Sequence, residues 1–343
     1  MRARRRAVRH SALERAAHRP SLGPFPYPEE TVSRFLRWGA VALATLLVVL
    51  LALGWYSSFY RPPRAVVGEL GGVQITLGDL VPYTLLEAAN LGQLSPEVAL
   101  NDMARDELLR QASDELGISV SEADMNLALA QSFEPPSSNP DAPEPTALTS
   151  AGEANLRRYL SETSLGGVHA SQAQYRAWLE GVLLVDKAIV HFSDALPAEP
   201  EQVHLLWMLT ANSADADEAL QRLAAGETFA AVAADLNTDT TFADEAGVVG
   251  WVPENAFPEL DSYLFGEDLQ LNLPTGPVQT SLGTLVIEVT EGPSTQPLSD
   301  DMRSLRALND LDDWLQVQSS ALLERLRLSD QQITWVYKQL GVG

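Results

Sequence analysis

The longest run of apolar and uncharged positions lies near the start of the chain. Residues 38–60 carry no charge and centre on GAVALATLLVVLLALG. A helix of this length can cross the hydrocarbon core of a membrane. Aromatic residues, which favour membrane interfaces, bracket the run at Trp38, Trp55, Tyr56, Phe59 and Tyr60. The pattern predicts a single N-terminal transmembrane helix.

Beyond the apolar run, the pattern changes first to alternation and then to helical periodicity. Residues 66–76 alternate around Gly71-Gly72, as in a β-hairpin. Capping patterns mark the starts of helices at Thr76 with Asp79, Ser95-Pro96-Glu97, Ser119 with Glu122, and Ser171 with Gln174. Residues 65–198 are therefore predicted to form a helical lobe, interrupted by a proline-rich loop at 135–145.

A different order of elements follows. The pattern predicts a strand at 203–210, helices at 213–225, 228–236 and near 258–265, and a strand at 283–290. This is a compact α+β unit. The tail at 299–343 is predicted to be helical and to pack with the lobe, because its leucines are spaced for one helix face. The predicted fold class is α+β.

Charge divides the chain at the apolar run. Residues 1–37 hold nine arginines and three acids, whereas the rest of the chain holds 14 basic and 43 acidic residues. The acidic body disfavours nucleic acid as a partner. The arginine-rich head indicates a cytoplasmic N-terminus, which places the body outside the cytoplasm. We therefore expect a single-pass cell-membrane protein with an extracytoplasmic body.

A cleaved signal peptide is the competing interpretation of the apolar run. Its apolar region would be shorter, and no A-x-A-like cleavage site follows before Ser57. The uncleaved anchor is therefore favoured.

General catalytic motifs are missing from the sequence. The chain has no cysteine, which excludes disulfides, thiolate metal sites and a cysteine nucleophile. His169, His191 and His204 lie far apart in sequence, and adjacent acids such as Asp300-Asp301 are typical of a solvated surface. No nucleophile elbow, phosphate-binding loop or H-E-x-x-H motif occurs. We expect neither a metal nor a cofactor.

The α+β unit at 201–293 resembles the parvulin (PpiC-like) family of peptidyl-prolyl isomerases. The phrases that carry the resemblance occur in the family's order: His204-Leu205-Leu206, GETFAAVA at 226–233, Asn237-Thr238-Asp239, AGVVGW at 246–251, Pro258-Glu259-Leu260, Phe265 and Pro277-Val278. The resemblance implies the parvulin fold and an enzyme that accelerates cis–trans rotation of peptide bonds preceding proline.

The flanking segments are similar to the N-terminal chaperone region of foldases of the PrsA, PpiD and SurA type. The similarity lies in 67–76, in RDELL at 105–109 and in LGISVS at 116–121. In those relatives, helices on both sides of the isomerase unit form a client-binding lobe. The resemblance implies a foldase whose partners are unfolded or proline-containing secreted polypeptides. The sequence leaves its oligomeric state open.

The resemblance also assigns site residues. The family uses two facing histidines, an Asp or Cys beside them, and a pocket of Met and Phe. Carried over by position, the catalytic candidates are His204, Asp239 and Asn237. The candidates for substrate binding are Leu260, Phe257, Leu285, Leu206 and Trp251.

Four family positions have changed in this chain. The second histidine is Leu285 and the family's serine is Asn237. The pocket methionine falls at Ala256, beside Phe257, and the pocket phenylalanine is Leu260. The prediction is a parvulin-type isomerase with a degenerate site.

The alternatives are a catalytically silent holdase or scaffold, or a purely structural anchor subunit. His204 could also be an ordinary strand histidine bonded to a neighbouring carbonyl or to Asp239, and Trp251 could be core. Convergence of His204 and Asp239 on one open pocket would favour catalysis.

Overall fold

The computed structural model describes residues 29–135, 143 and 145–342, apart from the side chains of 29–36 and 321–325. Most of the predicted head (1–37) and of the proline-rich loop (135–145) lies outside the described residues. The chain divides after Pro62 into two compact units.

The first unit contains helix α1 (Glu29–Trp55), which continues into a π-helical turn at Tyr56–Tyr60. Within the described residues, one helical segment, Arg37–Tyr60, is long and apolar enough to cross a membrane, with a mean hydropathy of 2.2. The ring of Tyr60 stacks on that of Tyr56 at 5.3 Å between centroids. The segment thus ends in an aromatic cluster of the kind found at membrane interfaces.

The second unit begins with hairpins and helices that form a lobe. A 3-10 turn (Pro62–Arg64) contains the boundary between the units. The elements of the lobe are β1 (Val66–Leu70), β2 (Val73–Thr76), α2 (Leu77–Leu91), α3 (Pro96–Leu116), α4 (Glu122–Phe133), α5 (Ser150–Glu162), β3 (Ser164–Leu165), β4 (Val168–His169) and α6 (Gln172–Ala195).

Local capping fixes most of the helix boundaries in the lobe. Thr76 and Ser171 each form the predicted capping box, and Ser95 accepts a hydrogen bond from the Val98 amide at the start of α3. The box predicted at Ser119 is wrong, because Ser121 caps α4 together with Asp124. Both serines precede an acid by three residues, so spacing alone could not choose between them.

The α+β part follows with a four-stranded sheet. Its elements are β5 (Glu201–Thr210), α7 (Ser213–Ala224), α8 (Phe229–Leu236), β6 (Val248–Pro253), a 3-10 turn (Pro258–Leu260), α9 (Asp261–Leu264), β7 (Thr275–Thr280) and β8 (Gly283–Thr295). The strand order is β6-β5-β8-β7, and every neighbouring pair is antiparallel.

Two of these strands, β6 and β7, do not follow from the sequence pattern. β6 contains Gly250 at φ +94°, and its pairing with β5 shifts register between Leu205 and Leu206. β7 contains Gly276 and Pro277, which both weaken a strand pattern. Pairing with β5 and β8 overrides the low local propensity of β6 and β7.

The C-terminal segment consists of α10 (Asp300–Leu322), β9 (Leu323–Leu326) and α11 (Asp330–Gln339). The leucine spacing predicts helix through Leu326, and this prediction is wrong for the last four residues. Instead, β9 pairs with β1 and completes a three-stranded sheet in the order β2-β1-β9. The pairing satisfies backbone groups of β1 that would otherwise remain at a sheet edge.

Helix α10 contributes to the cores of both parts of this unit. Near its start, Met302 is 8% exposed in the core on one face of the four-stranded sheet. At its middle, Leu311 is 2% exposed and packs with Leu109 of α3 and Leu184 of α6. The helix therefore connects the α+β part to the lobe.

Two carboxyl groups are buried in the lobe. Glu87 is 2% exposed and accepts a hydrogen bond from the Trp178 indole at 2.7 Å. Asp106 is 4% exposed and accepts hydrogen bonds from the Tyr83 hydroxyl at 2.7 Å and from the guanidinium of Arg105. Burial raises the pKa of both carboxyls, although these hydrogen bonds oppose the shift.

Candidate functional site

The side chains of β5 alternate between two cores, one on each face of the four-stranded sheet. Val203, Leu205 and Trp207 are at most 1% exposed in the core on one side, which we call the pocket face. Met208, with Leu206 beside it, belongs to the core under α7 and α8, which we call the helix face. The role open to each candidate depends on the face that it occupies.

Three aromatic rings meet on the pocket face. Trp207 lies 4.8 Å from Phe257 and 5.7 Å from Phe242 between ring centroids, and Phe242 lies 5.2 Å from Phe257. All three contacts are edge-to-face, an arrangement that aromatic pairs favour. The rings hold the loop after α8 and the turn after β6 against the sheet.

Asp239 anchors this aromatic cluster. Its Oδ2 accepts a hydrogen bond from the Trp207 indole at 2.7 Å and from the Ala243 amide at 2.9 Å, and its Oδ1 accepts one from the Thr241 amide at 2.8 Å. Partial burial alone would raise the pKa of Asp239, but these hydrogen bonds hold it below its usual value. Asp239 is therefore an ionised acceptor that orders the loop carrying Phe242.

Asn237 ties the same loop to β5. Its side-chain Oδ1 accepts hydrogen bonds from the Leu209 amide at 2.9 Å and the Asp239 amide at 3.1 Å. This is the turn chemistry that asparagine provides in many loops. In this structure, Asn237 supports the loop rather than facing a cavity.

A cavity of about 380 Å³ opens beside the aromatic cluster, a size within the usual range for ligand pockets. Three of the predicted binding residues line it: Phe257, Leu260 and Leu285. Further apolar side chains complete its wall, and these are Phe242, Leu282 and Leu305. Leu282 is 44% exposed at the turn between β7 and β8, so an apolar rim faces solvent.

His204 lies on the other side of the sheet. Its Nδ1 is 2.8 Å from the Thr290 hydroxyl, and its ring contacts Trp251 edge-on at 5.4 Å. Alternation along β5 puts His204 and Leu206 on the helix face. The structure thus does not bring His204 and Asp239 together, which corrects the expectation that they share one site. Leu206 and Trp251 likewise do not line the cavity.

Sequence reasoning missed the residue that does face Asp239. Trp207 is 1% exposed, and its indole N–H needs an acceptor at that depth. The alternating pattern Val203, Leu205, Trp207 could have revealed it, because it identifies the inward-facing positions of the strand. No local signal points to Leu305 and Asn309 of α10, which reach the cavity only through tertiary packing.

The cavity can bind apolar groups but offers little for proton transfer. Among the residues that line it, Glu259 is the one ionisable side chain. Its Oε2 accepts hydrogen bonds from the amide and hydroxyl of Ser281, at 2.8 Å and 3.0 Å. In the part of the chain that the structure describes, no group of three or more His, Asp or Glu side chains could hold a metal ion. The geometry fits a slot for an apolar side chain or a proline ring.

Solved structures similar to this chain include peptidylprolyl isomerases, a foldase and SurA-like chaperones. The peptidylprolyl isomerase PrsA from Bacillus anthracis is 15% identical, with 67% of this chain and 99% of that chain covered and a TM-score of 0.41. The foldase protein PrsA from Streptococcus pneumoniae is 15% identical, with 80% and 100% covered and a TM-score of 0.33. A SurA-like chaperone from Campylobacter jejuni is 14% identical, with 77% and 100% covered and a TM-score of 0.29. No curated protein matches the chain.

A family model matches most of the α+β part of the chain. The PPIC-type PPIASE domain matches residues 209–292, a range that begins inside β5 and includes Asp239, Phe257, Leu260 and Leu285. His204 lies before the matched range. The resemblance to the parvulin family is confirmed, and this chain carries a PPIC-type peptidyl-prolyl isomerase domain.

Proposed function

We propose that this protein is a membrane-anchored extracytoplasmic foldase that holds unfolded secreted polypeptides without accelerating proline isomerisation. The observation that carries the proposal is the makeup of the cavity, whose wall is mostly apolar and aromatic and whose lining contains no histidine. His204, the histidine expected to act there, lies on the helix face.

The physical demands of isomerisation support the holding role. Rotation about the bond preceding proline has a barrier of about 18–20 kcal/mol, because amide resonance is lost at the twisted midpoint. A site accelerates the rotation only if it binds the twisted amide more tightly than the planar one. Polar groups aimed at the amide could do this. The indole N–H of Trp207 already donates a hydrogen bond to Asp239, and the Leu285 side chain has no polar group. A planar client would therefore bind as well as a twisted one.

Isomerisation remains the second candidate function, and one observation favours it. The cavity would remove water from a bound amide, since most of its wall is apolar. Removing water penalises the polar planar amide relative to the twisted one. This effect is nonspecific, and we expect it to be small beside the loss of the polar groups.

The membrane anchor and its orientation belong to the same proposal. Arg37–Tyr60 has the length and apolar character of a membrane span. The nine arginines of residues 1–37 favour a cytoplasmic N-terminus. The lobe and the isomerase domain would then meet secreted chains as they emerge from the membrane.

Client capture by membrane vesicles tests both parts of the proposal. The full chain is prepared in sealed right-side-out and inside-out vesicles, and labelled, reduced α-lactalbumin is added outside. We expect only right-side-out vesicles to retain it. Leu282→Asp should weaken retention about tenfold, because it puts a charge on the apolar rim. Leu271→Asp is the matched control, since Leu271 is 45% exposed and lies outside the cavity lining. Equal retention by both variants, or capture by inside-out vesicles, would contradict the proposal.

A further inference from the structure

The segments that form the cavity carry a strongly one-sided charge. Residues 254–261 contain Glu254, Glu259 and Asp261 and no basic residue. Residues 305–313, on α10, contain three aspartates and one arginine. The third segment, 279–285, is uncharged. The described residues of these three segments thus hold six acids against one base.

The one base, Arg306, is already engaged within the protein. Its Nε donates to Asp310 Oδ1 at 2.8 Å, and its Nη1 donates to the carbonyl of Glu254. The guanidinium therefore neutralises part of the rim and is not presented to an incoming chain. Glu259, which lines the cavity, and Glu254, five residues earlier in the same segment, are both exposed.

Glu259 is the acid nearest the apolar slot, because it lines the cavity itself. The hydrogen bonds from Ser281 both reach its Oε2. A carboxylate has about four acceptor positions, so Oε1 can still accept from a cationic ligand. The serine holds the carboxylate in place, so less side-chain entropy is lost when a ligand binds.

We propose that the cavity selects apolar client segments flanked by lysine or arginine. The apolar residue, proline included, would fill the slot between Leu282 and the aromatic cluster, and the basic neighbour would meet the acidic rim at Glu254 and Glu259. This inference rests on the proposed function, because it concerns the same cavity. It adds the class of client that the cavity prefers.

The net negative charge of the whole body also favours basic client segments. Beyond residue 37, the chain holds 43 acidic and 14 basic residues. A field of this sign attracts basic segments and raises their association rate. The rim adds a local preference for basic flanks. This preference depends on the carboxylates of Glu254 and Glu259, whereas the general field depends on the net charge of the body.

Peptide titrations with the full chain in lipid nanodiscs test the inference. Three labelled peptides share one proline-containing apolar core and differ only in their flanks, which are Lys, Gln or Glu. At about 0.01 M salt, where screening is weak, we expect the Lys peptide to bind about tenfold more tightly than the Gln peptide. The Glu peptide should bind more weakly than either. At about 1 M salt the three affinities should converge.

Two double variants separate the rim from the general field. Glu254→Gln with Glu259→Gln should reduce the preference for the Lys peptide over the Glu peptide by about threefold or more. Asp217→Asn with Glu218→Gln removes the same charge from the exposed side of α7, behind the helix face, and should leave the preference unchanged.

The outcomes distinguish this inference from the proposed function. Equal binding of the three peptides at low salt would overturn the inference and leave the proposed function intact, provided that Leu282→Asp still weakens the Gln peptide. An equal loss of preference in both double variants would also overturn it, because the general field alone would then explain the selectivity. Failure of the Gln peptide to bind would overturn the proposed function itself.

Discussion

Replacing Trp207 with alanine is expected to destabilise the isomerase domain by about 3–5 kcal/mol. The side chain is 1% exposed, contacts Phe242 and Phe257, and donates its indole N–H to Asp239. Its removal would leave a cavity under the aromatic cluster and deprive the carboxylate of a donor. Hydrogen exchange of the full chain in detergent should show that protection of the β8 amides falls about a hundredfold or more.

Two further variants identify the source of this effect. Trp207→Phe keeps most of the ring and loses the hydrogen bond, so it should cost about 1–3 kcal/mol. His204→Ala, on the same strand but the opposite face, should cost clearly less than Trp207→Ala, because His204 is only partly buried. If His204→Ala destabilised β8 more than Trp207→Ala, our assignment of the two faces would be wrong.

The second large effect is expected in the lobe, from Asp106→Ala. Asp106 is 4% exposed, and it holds the Tyr83 hydroxyl at 2.7 Å and pairs with Arg105 at 3.1 Å. Removing one partner of a buried charge pair costs about 3–5 kcal/mol. Gly181 of α6 lies so close to Asp106 that a Cβ at this position would clash with Asp106 Oδ2. The absence of a side chain at Gly181 therefore lets α6 approach the carboxylate.

Asp102 provides the matched control for Asp106. It also pairs with Arg105, at 2.8 Å, but its side chain is 19% exposed compared with 5% for Asp106. Asp102→Ala should cost about 1 kcal/mol or less, as for a partly solvated pair. Exchange protection of the α3 and α6 amides measures both variants. Similar losses for the two would show that burial of the Asp106 carboxylate is not what stabilises the packing of α3 against α6.

The local elements were largely predictable from the sequence. The β1–β2 hairpin, the capping boxes at Thr76 and Ser171, and the end of α3 at Gly117 all depend on residues within a few positions of one another. Such signals act in the same way in any fold. The prediction failed where pairing partners are distant in sequence, as for β9, which joins β1 across the length of the unit.

The cavity was predicted in part. Phe257, Leu260 and Leu285 line it, as the resemblance implied. The prediction that His204 acts beside Asp239 was wrong, because a motif identifies a strand without showing which of its residues face the site. Neighbouring residues of a strand point to opposite faces, so an odd offset moves a candidate from one face to the other. Here an offset of three residues separates His204 from Trp207, whose indole contacts Asp239.

The part of the cavity wall that α10 forms could not be predicted from the sequence, for a different reason. Asn309 donates hydrogen bonds to the carbonyls of Asn255 and Ala256, at 2.7 Å and 3.0 Å, and Leu305 lines the cavity. These contacts join residues more than 50 positions apart. Helical periodicity predicted that α10 would have an apolar face, and only the tertiary fold shows that this face covers both the lobe and the cavity.

The most direct test of binding without catalysis is exchange NMR on a labelled proline-containing peptide with uncharged flanks, in the presence of the full chain in nanodiscs. We predict that its resonances broaden on binding, that Leu282→Asp removes the broadening, and that cis and trans signals still exchange over tens to hundreds of seconds. Exchange that accelerates with protein concentration would contradict the account, because the cavity would then stabilise the twisted amide after all.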